Sequence, residues 1–377
     1  MTKPWLGAAL LMTLSLSQLA AKAEGPSDLA NRVDACVAAE LRAQRIPGLS
    51  LAVVKDGQVV LAKGYGLANV ELDVPATAET VYEIGSMTKQ FTATAVMMLV
   101  EEGKLGLDER IATRLAGIPD AWKEVTVRHL LTHTSGIMSY TALPDFGRLT
   151  ITPATMAEVV KATGRFPLAF RPGEHWEYSN TGYYLLGRIV EKASGLAYGE
   201  FVSQRIFEPL GMTSTRFNDP ETLVKHRAAG YSLDRGRLRN AAYVDMSWPD
   251  AAGAIVSTVP DLAKWDAALG TDRLLKPSSW QQMWTPATLT SGKKHPYGFG
   301  WDLAPTNGHR TIAHGGAIPG FLTFMARYPD DHLTVIVLTN ADHSAPSQIV
   351  QQVAGLYVPA LLPAQDNPLA GLLLGPE

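Results

Sequence analysis

Alternating apolar and polar positions predict two β-hairpins, one near each end of the chain. Residues 49–54 and 58–62 are rich in β-branched and other apolar side chains, and a polar turn ending in Gly57 separates them. Two such runs around a short turn with glycine are typical of a hairpin. Residues 321–328 and 334–339 repeat the pattern around a second polar turn. We therefore expect antiparallel strands from both ends of the chain.

Between the hairpins, the apolar positions change to the three-and-four-residue spacing that is typical of helices. Strand signals are few between about residues 86 and 280, where Gly and Pro separate helical patterns. Helical spacing is clearest in five segments of the whole chain: residues 29–41, 154–162, 183–193, 262–269 and 347–362.

The order of these elements predicts an α+β fold. We expect an antiparallel sheet formed from both chain ends and flanked by helices, with a mostly helical lobe inserted between the two halves. The sheet lobe should comprise about residues 24–85 and 285–362, and the helical lobe about residues 86–284. The tail, residues 363–377, is rich in Pro, Ala, Gly and Leu and is expected to be loosely held.

The first 23 residues are typical of a signal peptide. Lys3 precedes an apolar run at residues 6–19, and residues 21–23 form a small-x-small cleavage site before Glu24. The run is too short for a comfortable membrane span. We expect an exported protein, periplasmic or secreted, whose residues 24–377 form one domain with no membrane span. An uncleaved N-terminal anchor is the alternative.

Composition narrows the function classes. Hydrophobic residues make up 46% of the chain and charged residues 18%, which is typical of a globular protein. The formal net charge of −3 provides no basic surface for nucleic acid, so we expect no nucleic-acid partner. The single cysteine, Cys36, excludes an internal disulfide.

A Ser-x-x-Lys tetrad, Ser86 to Lys89, stands at the head of the strongly apolar run 91–100. Residues three apart on a helix are neighbours, so the amine can reach the hydroxyl, and a helix start offers free N–H groups. An acyl-transfer enzyme needs this combination of nucleophile, base and oxyanion donor. The spacing alone is weak evidence, because Ser291 and Lys294 repeat it in a polar turn. The alternative is that Ser86 only caps the helix.

Two further motifs carry candidate chemistry. Tyr178 and Asn180 form a Tyr-x-Asn motif where a loop enters a helix, and a Tyr can move protons if a cationic neighbour lowers its pKa. His314, Gly315 and Gly316 precede the strand at 321, where glycines let a substrate backbone approach the strand edge. The N–H groups of Ala317 and Ser86 could then form an oxyanion hole. The alternatives are a capping Asn180 beside a packing Tyr178, and a loop histidine at 314.

No metal or cofactor is expected. His129 and His133 have the four-residue spacing of helical metal ligands, but no Glu follows His129. The run 129–136 is typical of a helix that ends in a Gly cap.

Together these motifs resemble the serine β-lactamase and penicillin-recognising superfamily. The similarity is greatest to the class C β-lactamase-like branch, with its D-alanyl-D-alanine carboxypeptidases, D-aminopeptidases and family VIII carboxylesterases. It covers nearly all of residues 24–377 and is carried by residues 81–89, 127–136, 178–187, 297–301 and 314–316.

The resemblance implies a β-lactamase/transpeptidase-like fold and a role for each motif. Ser86 would be the acylated nucleophile and Lys89 its base or proton relay. Tyr178 would transfer protons in acylation and deacylation, and Asn180 would orient them.

The third motif departs from the family pattern. His314 stands where many relatives carry Lys, and Gly315 where many carry Thr or Ser. A Lys is a permanent charge suited to a substrate carboxylate, whereas a His titrates near pH ~6.5. We therefore expect weaker binding of β-lactams and a shift toward esterase or peptidase chemistry. The same substitution predicts an additional ionisation in the pH–rate profile, attributable to His314.

Three functions follow as hypotheses. The first is an exported serine hydrolase that acts through a Ser86 acyl-enzyme on esters or small D-amino-acid peptides. The second is a class C-like β-lactamase. The third, from another class, is a non-catalytic penicillin-binding or sensor protein. The expected partner is a small ester, peptide or β-lactam, and the sequence leaves the acyl group, the leaving group and the oligomeric state open.

Overall fold

The computed structural model describes residues 26–362; the expected signal peptide and tail lie outside this range. The strands are β1 (Gly48–Lys55), β2 (Gln58–Asn69), β3 (Val74–Pro75), β4 (Tyr82–Glu83), β5 (Arg216–Phe217), β6 (Tyr231–Asp234), β7 (Arg237–Asn240), β8 (Ile255–Ser257), β9 (Ala287–Thr288), β10 (Lys294–His295), β11 (Ile312–Ile318), β12 (Phe321–Tyr328) and β13 (Leu333–Thr339).

Helices lie near both ends of the described sequence and through most of its middle. The α-helices are α1 (Pro26–Gln44), α2 (Thr88–Glu101), α3 (Val127–Leu131), α4 (Phe146–Leu149), α5 (Met156–Gly164), α6 (Asn180–Ser194), α7 (Tyr198–Val202), α8 (Glu208–Leu210), α9 (Asp250–Gly253), α10 (Val259–Ala268), α11 (Pro277–Met283) and α12 (Pro346–Tyr357). Short 3₁₀ turns lie at Gly85–Met87, Ile111–Thr113, Asp120–Trp122, Tyr140–Ala142, Pro329–Asp331 and Pro359–Leu361, and a π-helical turn at Ser203–Phe207.

The central sheet combines strands from both ends of the chain, as the hairpin pattern predicts. Its six strands are antiparallel neighbours in the order β11-β12-β13-β1-β2-β3. The first and last long strands pair directly, with Leu51 opposite Val337 and Val53 opposite Val335. The α+β fold with a sheet built from both chain ends is therefore confirmed.

Both faces of the central sheet are covered. On β1, Leu51 and Val53 join the apolar cluster of α1 and α12, whereas Ala52 and Val54 join the larger cluster on the opposite face. This division follows from the two-residue period of a strand. Residues 48–54 are all buried, so β1 has no solvated face.

Helix α2 is the core of the larger cluster. Twelve of its residues, from Thr88 to Leu99, are buried, which is typical of a helix surrounded by other elements. It packs against α6 and α9. Because α2 begins directly after Ser86, its rigid packing fixes the position of that residue.

The middle of the chain contains little strand, as predicted. Strands β4, β8 and β5 form a small antiparallel sheet, and β6 and β7 form a hairpin. Each has only two to four residues, too few to display a clear period of two, so the sequence does not show these strands individually.

The closing helix is shorter than predicted, because α12 ends at Tyr357 and Pro359 opens a 3₁₀ turn. Proline has no N–H to continue a helix. Within residues 26–362, no helix combines the length and the apolar character that crossing a membrane requires.

Candidate active site

Ser86 lies on a tight turn rather than in the helix itself. The 3₁₀ turn Gly85–Met87 precedes α2, and Gly85 adopts φ +51°. A Cβ at Gly85 would lie 2.8 Å from the backbone nitrogen of Ala317. A side chain there would push the Ser86 turn away from β11, so the glycine allows the two segments to meet.

The structure brings the Lys89 amine to the Ser86 hydroxyl. The Lys89 Nζ lies 2.9 Å from Ser86 Oγ, 2.7 Å from Asn180 Oδ1 and 2.8 Å from the carbonyl oxygen of Ala252. Lys89 is fully buried, and this burial lowers the pKa of its amine well below the usual value. Burial therefore favours the neutral amine, which is the form that can act as a base.

Three oxygen atoms surround the Lys89 amine. The carbonyl oxygens of Asn180 and Ala252 can only accept hydrogen bonds from it, and the Ser86 hydroxyl oxygen is the third partner. When the neutral amine gives its two hydrogens to the carbonyl oxygens, its lone pair can accept the Ser86 proton. This is the geometry of a general base beside its nucleophile.

Asn180 is the first residue of α6, but it is not the cap. The Ser179 hydroxyl accepts the hydrogen bond from the Gly182 N–H at 3.3 Å, which leaves the Asn180 side chain free to turn into the site. Its Nδ2 donates to Thr141 Oγ1 at 3.2 Å, so the amide oxygen faces Lys89. The capping role considered for Asn180 was therefore wrong.

Tyr178 lies against both members of the tetrad. The Lys89 Nζ is 4.8 Å from the centre of its ring. Burial raises the pKa of the Tyr178 phenol, and the hydrogen bond with Ser86 only partly opposes this effect. The cationic neighbour considered for Tyr178 does not lower its pKa in the structure, because burial dominates and raises it. Tyr178 is a phenol at neutral pH.

His314 is present in the site but does not bond to Ser86 or Lys89. Its Nδ1 donates to the Gly315 carbonyl oxygen at 2.6 Å, so its Nε2 accepts from the Tyr297 hydroxyl at 2.9 Å. Burial and the nearby Lys89 lower the pKa of His314 to about 3. An ionisation of His314 near neutral pH, as predicted from the sequence, is therefore wrong.

Gly316 is needed for the packing of the site. A Cβ at Gly316 would lie 1.9 Å from the Ile84 carbonyl oxygen, so this glycine admits the turn that carries the nucleophile. A Cβ at Gly315 would lie 3.0 Å from the ring of Phe324 and 3.4 Å from the Thr323 carbonyl oxygen, which is a less severe contact. The expected role of the two glycines in the approach of a substrate stays a prediction.

Ala317 occupies the edge of the sheet beside Ser86. Strand β11 is the outermost strand, Ala317 is exposed, and both residues line a cavity of about 280 Å³. An edge strand presents free N–H groups, as does the start of a helix. The cavity thus has two sources of backbone donors near the nucleophile.

Three contributors to the site have roles that the sequence does not show, although His133 belongs to the run 127–136 that carries the family resemblance. The Ala252 carbonyl gives no signal because any residue supplies a backbone oxygen. Thr141 lies in a separate 3₁₀ turn, distant in sequence from Asn180, and the two side chains meet because the chain folds. The third, His133, is buried with its ring 4.2 Å from that of Tyr178, and its Nδ1 accepts the Ser179 N–H at 3.1 Å. It supports the loop that carries Tyr178 and Asn180.

Comparison with known proteins gives concordant matches. The model of the Beta-lactamase family matches residues 33–356. Penicillin-binding protein 4* of Bacillus subtilis (strain 168) is 33% identical over 332 residues, which cover 84% of this chain and 70% of that protein.

Two solved structures show the same fold. The octameric penicillin-binding protein homologue from Pyrococcus abyssi has a TM-score of 0.79 and 32% identity, covering 91% of this chain and 80% of that chain. The D-amino acid amidase from Ochrobactrum anthropi SV3, complexed with D-phenylalanine, has a TM-score of 0.76 and 27% identity, covering 89% and 99%.

Proposed function

Because this chain belongs to the Beta-lactamase family, we propose that it is a serine hydrolase that forms an acyl-enzyme at Ser86 and acts on esters or small D-amino-acid peptides. The family relationship supports a serine hydrolase in general. One observation carries the specific proposal: two obligate acceptors, the carbonyl oxygens of Asn180 and Ala252, hold the buried Lys89 amine within hydrogen-bond distance of the Ser86 hydroxyl.

Acylation would begin with proton transfer from Ser86 to Lys89. The Ser86 oxygen bonds to the substrate carbonyl carbon, and the bond from that carbon to the leaving group breaks. The Tyr178 phenol, which is hydrogen-bonded to Ser86, donates a proton to the leaving oxygen or nitrogen. It regains a proton from the Lys89 ammonium. Water then releases the acyl group by the same transfers in reverse.

The negative charge on the substrate oxygen would be stabilised by backbone donors. We assign this role to the N–H groups of Ser86 and Ala317, which belong to the two segments that meet at Gly85. A pair of positioned donors in a buried site stabilises a developing oxyanion strongly.

The substrate class follows from the charges in the site. His314 is neutral at working pH, and no Lys or Arg among the described residues lines the cavity at Ser86. A carboxylate beside the reacting carbonyl, as in β-lactams, would lack a cationic partner there. This favours esters and amides without that carboxylate, in line with a relative named as a D-amino acid amidase.

A β-lactamase remains the second candidate, favoured by the matches to the Beta-lactamase family and to penicillin-binding protein 4*. Turnover of nitrocefin compared with turnover of p-nitrophenyl esters separates the two. A non-catalytic binding protein is distinguished by steady-state turnover, because such a protein stops after one acylation.

Labelling at a defined residue tests the mechanism itself. We expect a fluorophosphonate to add once to the intact chain, and peptide mapping to place it on Ser86. The Ser86→Ala variant should lose the label and the turnover, whereas Ser291→Ala, from the second Ser-x-x-Lys pair, should keep both. A label at another serine would overturn the proposal.

Export is proposed on the sequence pattern of residues 1–23 alone. N-terminal sequencing of the protein expressed from its full-length gene tests it. We expect the chain to begin at Glu24 in the exported fraction, and an intact Met1 in the cytosolic fraction alone would contradict export.

A further inference from the structure

A second cavity adjoins the one that contains Ser86. Its volume is about 290 Å³, and Val244, Ile318 and Pro319 line both cavities. The two cavities therefore adjoin at these three residues and together form one cleft. A substrate that reacts at Ser86 and carries a chain long enough to pass them would place its far end in the second cavity.

Glu83 brings a carboxyl group into the second cavity from the segment that carries the nucleophile. It lies three residues before Ser86, so the two Cα atoms are within about 10 Å of each other. The Asn218 Nδ2 donates to Glu83 Oε1 at 3.2 Å. A carboxylate accepts several hydrogen bonds, so this single bond leaves Glu83 able to accept others.

The charges around the cleft are predominantly negative. Glu83 and Asp219 line the second cavity, and Asp342 lines the first. Among the described residues, Arg227 is the one Lys or Arg that lines either cavity. Its Nη2 already donates to Asn218 Oδ1 at 2.8 Å, and the residue is exposed to water. Three acidic residues therefore line the cleft against one exposed guanidinium. Asp219 and Asp342 each already accept two hydrogen bonds, so Glu83, with one, has the most free acceptor capacity.

We propose that the second cavity is a subsite for a primary ammonium group of the substrate, with Glu83 as its acceptor. This rests on the proposed hydrolase function and extends it to a substrate class. The preferred substrates carry an ammonium several bonds away from the carbonyl that reacts with Ser86. The ammonium would donate to the Glu83 carboxylate, and such charge-assisted bonds are the stronger kind.

Three p-nitrophenyl esters of equal chain length test this preference in the intact protein. They end in an ammonium, a hydroxyl or a carboxylate group, and kcat/KM is measured for each. We expect the ammonium ester to exceed the hydroxyl ester by roughly tenfold, the effect of one charge-assisted hydrogen bond. We expect the carboxylate ester to be the poorest of the three.

The Glu83→Gln variant then removes the charge while its amide oxygen can still accept from Asn218. The ratio of ammonium to hydroxyl ester should fall toward one, with the hydroxyl ester as internal reference in the same preparation. Glu221→Gln is the matched control, because Glu221 is an exposed carboxylate close by that does not line the cavity. This control should keep the ratio.

The outcomes distinguish this inference from the function on which it rests. Equal turnover of the ammonium and hydroxyl esters, or a ratio unchanged in Glu83→Gln, would overturn the subsite and leave the hydrolase intact. If the unaltered protein prefers the carboxylate ester and the Arg227→Gln variant loses this preference, the second cavity binds an anion instead. Absence of turnover and of label at Ser86 would remove both proposals.

A measurement on the unaltered protein covers the case in which Glu83→Gln does not fold. Straight-chain alkylammonium ions should inhibit turnover of the hydroxyl ester more strongly than alkanols of equal length.

Burial raises the pKa of Glu83 to about 7, while Arg227 and Asn218 act in the opposite direction, and Asp219 and Tyr243 also line the cavity. Inhibition should therefore strengthen as the pH rises from 6 to 8, because Glu83 ionises while the amine stays charged. Equal inhibition by both series would contradict the subsite.

Discussion

At the scale of single residues, the site is governed by burial more than by charge. Burial lowers the pKa of the Lys89 amine, raises that of the Tyr178 phenol and lowers that of His314 to about 3, because the protein interior disfavours their charged forms. The sequence shows three ionisable groups of ordinary pKa, whereas the structure places them where the neutral forms are favoured. The partners that hold the Lys89 amine, Asn180 and Ala252, lie far away along the chain.

Replacing Lys89 by Met should remove the base while keeping a similar shape. We expect kcat to fall by about 10²- to 10⁴-fold, the usual contribution of a positioned general base. Ester turnover under saturating substrate measures it. Lys294→Met is the matched control, because Lys294 has the same spacing from a serine and is exposed. A Lys89→Met enzyme that keeps most of its kcat would contradict the assignment.

Replacing Tyr178 by Phe should affect substrates unequally. An alkoxide or amide nitrogen needs a proton in order to leave, whereas p-nitrophenolate leaves without one. We expect kcat/KM for anilides and alkyl esters to fall by about 10²-fold or more, and for p-nitrophenyl esters by much less. Equal losses on both substrate types would show that Tyr178 positions Ser86 instead of transferring protons.

The pH dependence of activity should not involve His314. The pKa of His314, about 3, lies well below neutral pH. We expect the pH–rate profile of His314→Gln to keep the apparent pKa values of the unaltered protein between pH 5 and 9, even if the rate changes. An ionisation that disappears in this variant would show that His314 is charged during turnover.

At the scale of elements, the site depends on how closely β11 meets the turn before α2. Two neighbouring glycines of β11 provide a matched pair of tests. A Cβ at Gly316 would collide with the backbone oxygen of Ile84, whereas one at Gly315 would lie 3.0 Å from the movable ring of Phe324 and 3.4 Å from the Thr323 carbonyl oxygen.

We expect Gly316→Ala to lower the free energy of unfolding by about 1–3 kcal/mol, the usual cost of overpacking, and to reduce kcat strongly. Gly315→Ala should cost less than half of that and retain turnover. Denaturant unfolding and ester kinetics on both variants measure the difference. Equal behaviour of the two variants would show that the close approach of β11 is not required.

The elements that the sequence predicts are those with a long, regular pattern. The hairpins β1–β2 and β12–β13 and the helix α6 are visible because apolar positions recur over whole elements. Strands β4, β5 and β8 are not visible, since two or three residues carry no period. Ser86, Lys89, Tyr178 and Asn180 could be named from motifs. The contact of Lys89 with the Ala252 carbonyl could not, because it depends on where α9 packs.

At the scale of the whole molecule, the buried histidines link folding to pH. His314 and His133 have lowered pKa values in the folded protein because of burial. In the unfolded chain each binds a proton near pH ~6.5. The unfolded state therefore binds more protons below that pH, and these two groups reduce stability as the pH falls.

We expect the contribution of His314 to appear as the pH is lowered from about 6.5 toward 3, the window between its unfolded and folded pKa values. The stability of His314→Gln should fall less over this window than that of the unaltered protein. Thermal unfolding at several pH values measures both. His332→Gln, at an exposed turn, is the control and should follow the unaltered protein. Parallel curves for all three proteins would contradict a neutral, buried His314.

The origin of the sheet in both ends of the chain has a consequence for synthesis. Ser86 and Lys89 leave the ribosome early, but the strand that carries Ala317, and its neighbours β12 and β13, follow more than two hundred positions later. A nascent chain therefore contains its nucleophile long before it contains β11, the strand that lies beside that nucleophile. Hydrolase activity would arise only when the whole chain has been synthesised. A ribosome-bound fragment that ends near residue 300 should therefore not react with fluorophosphonates.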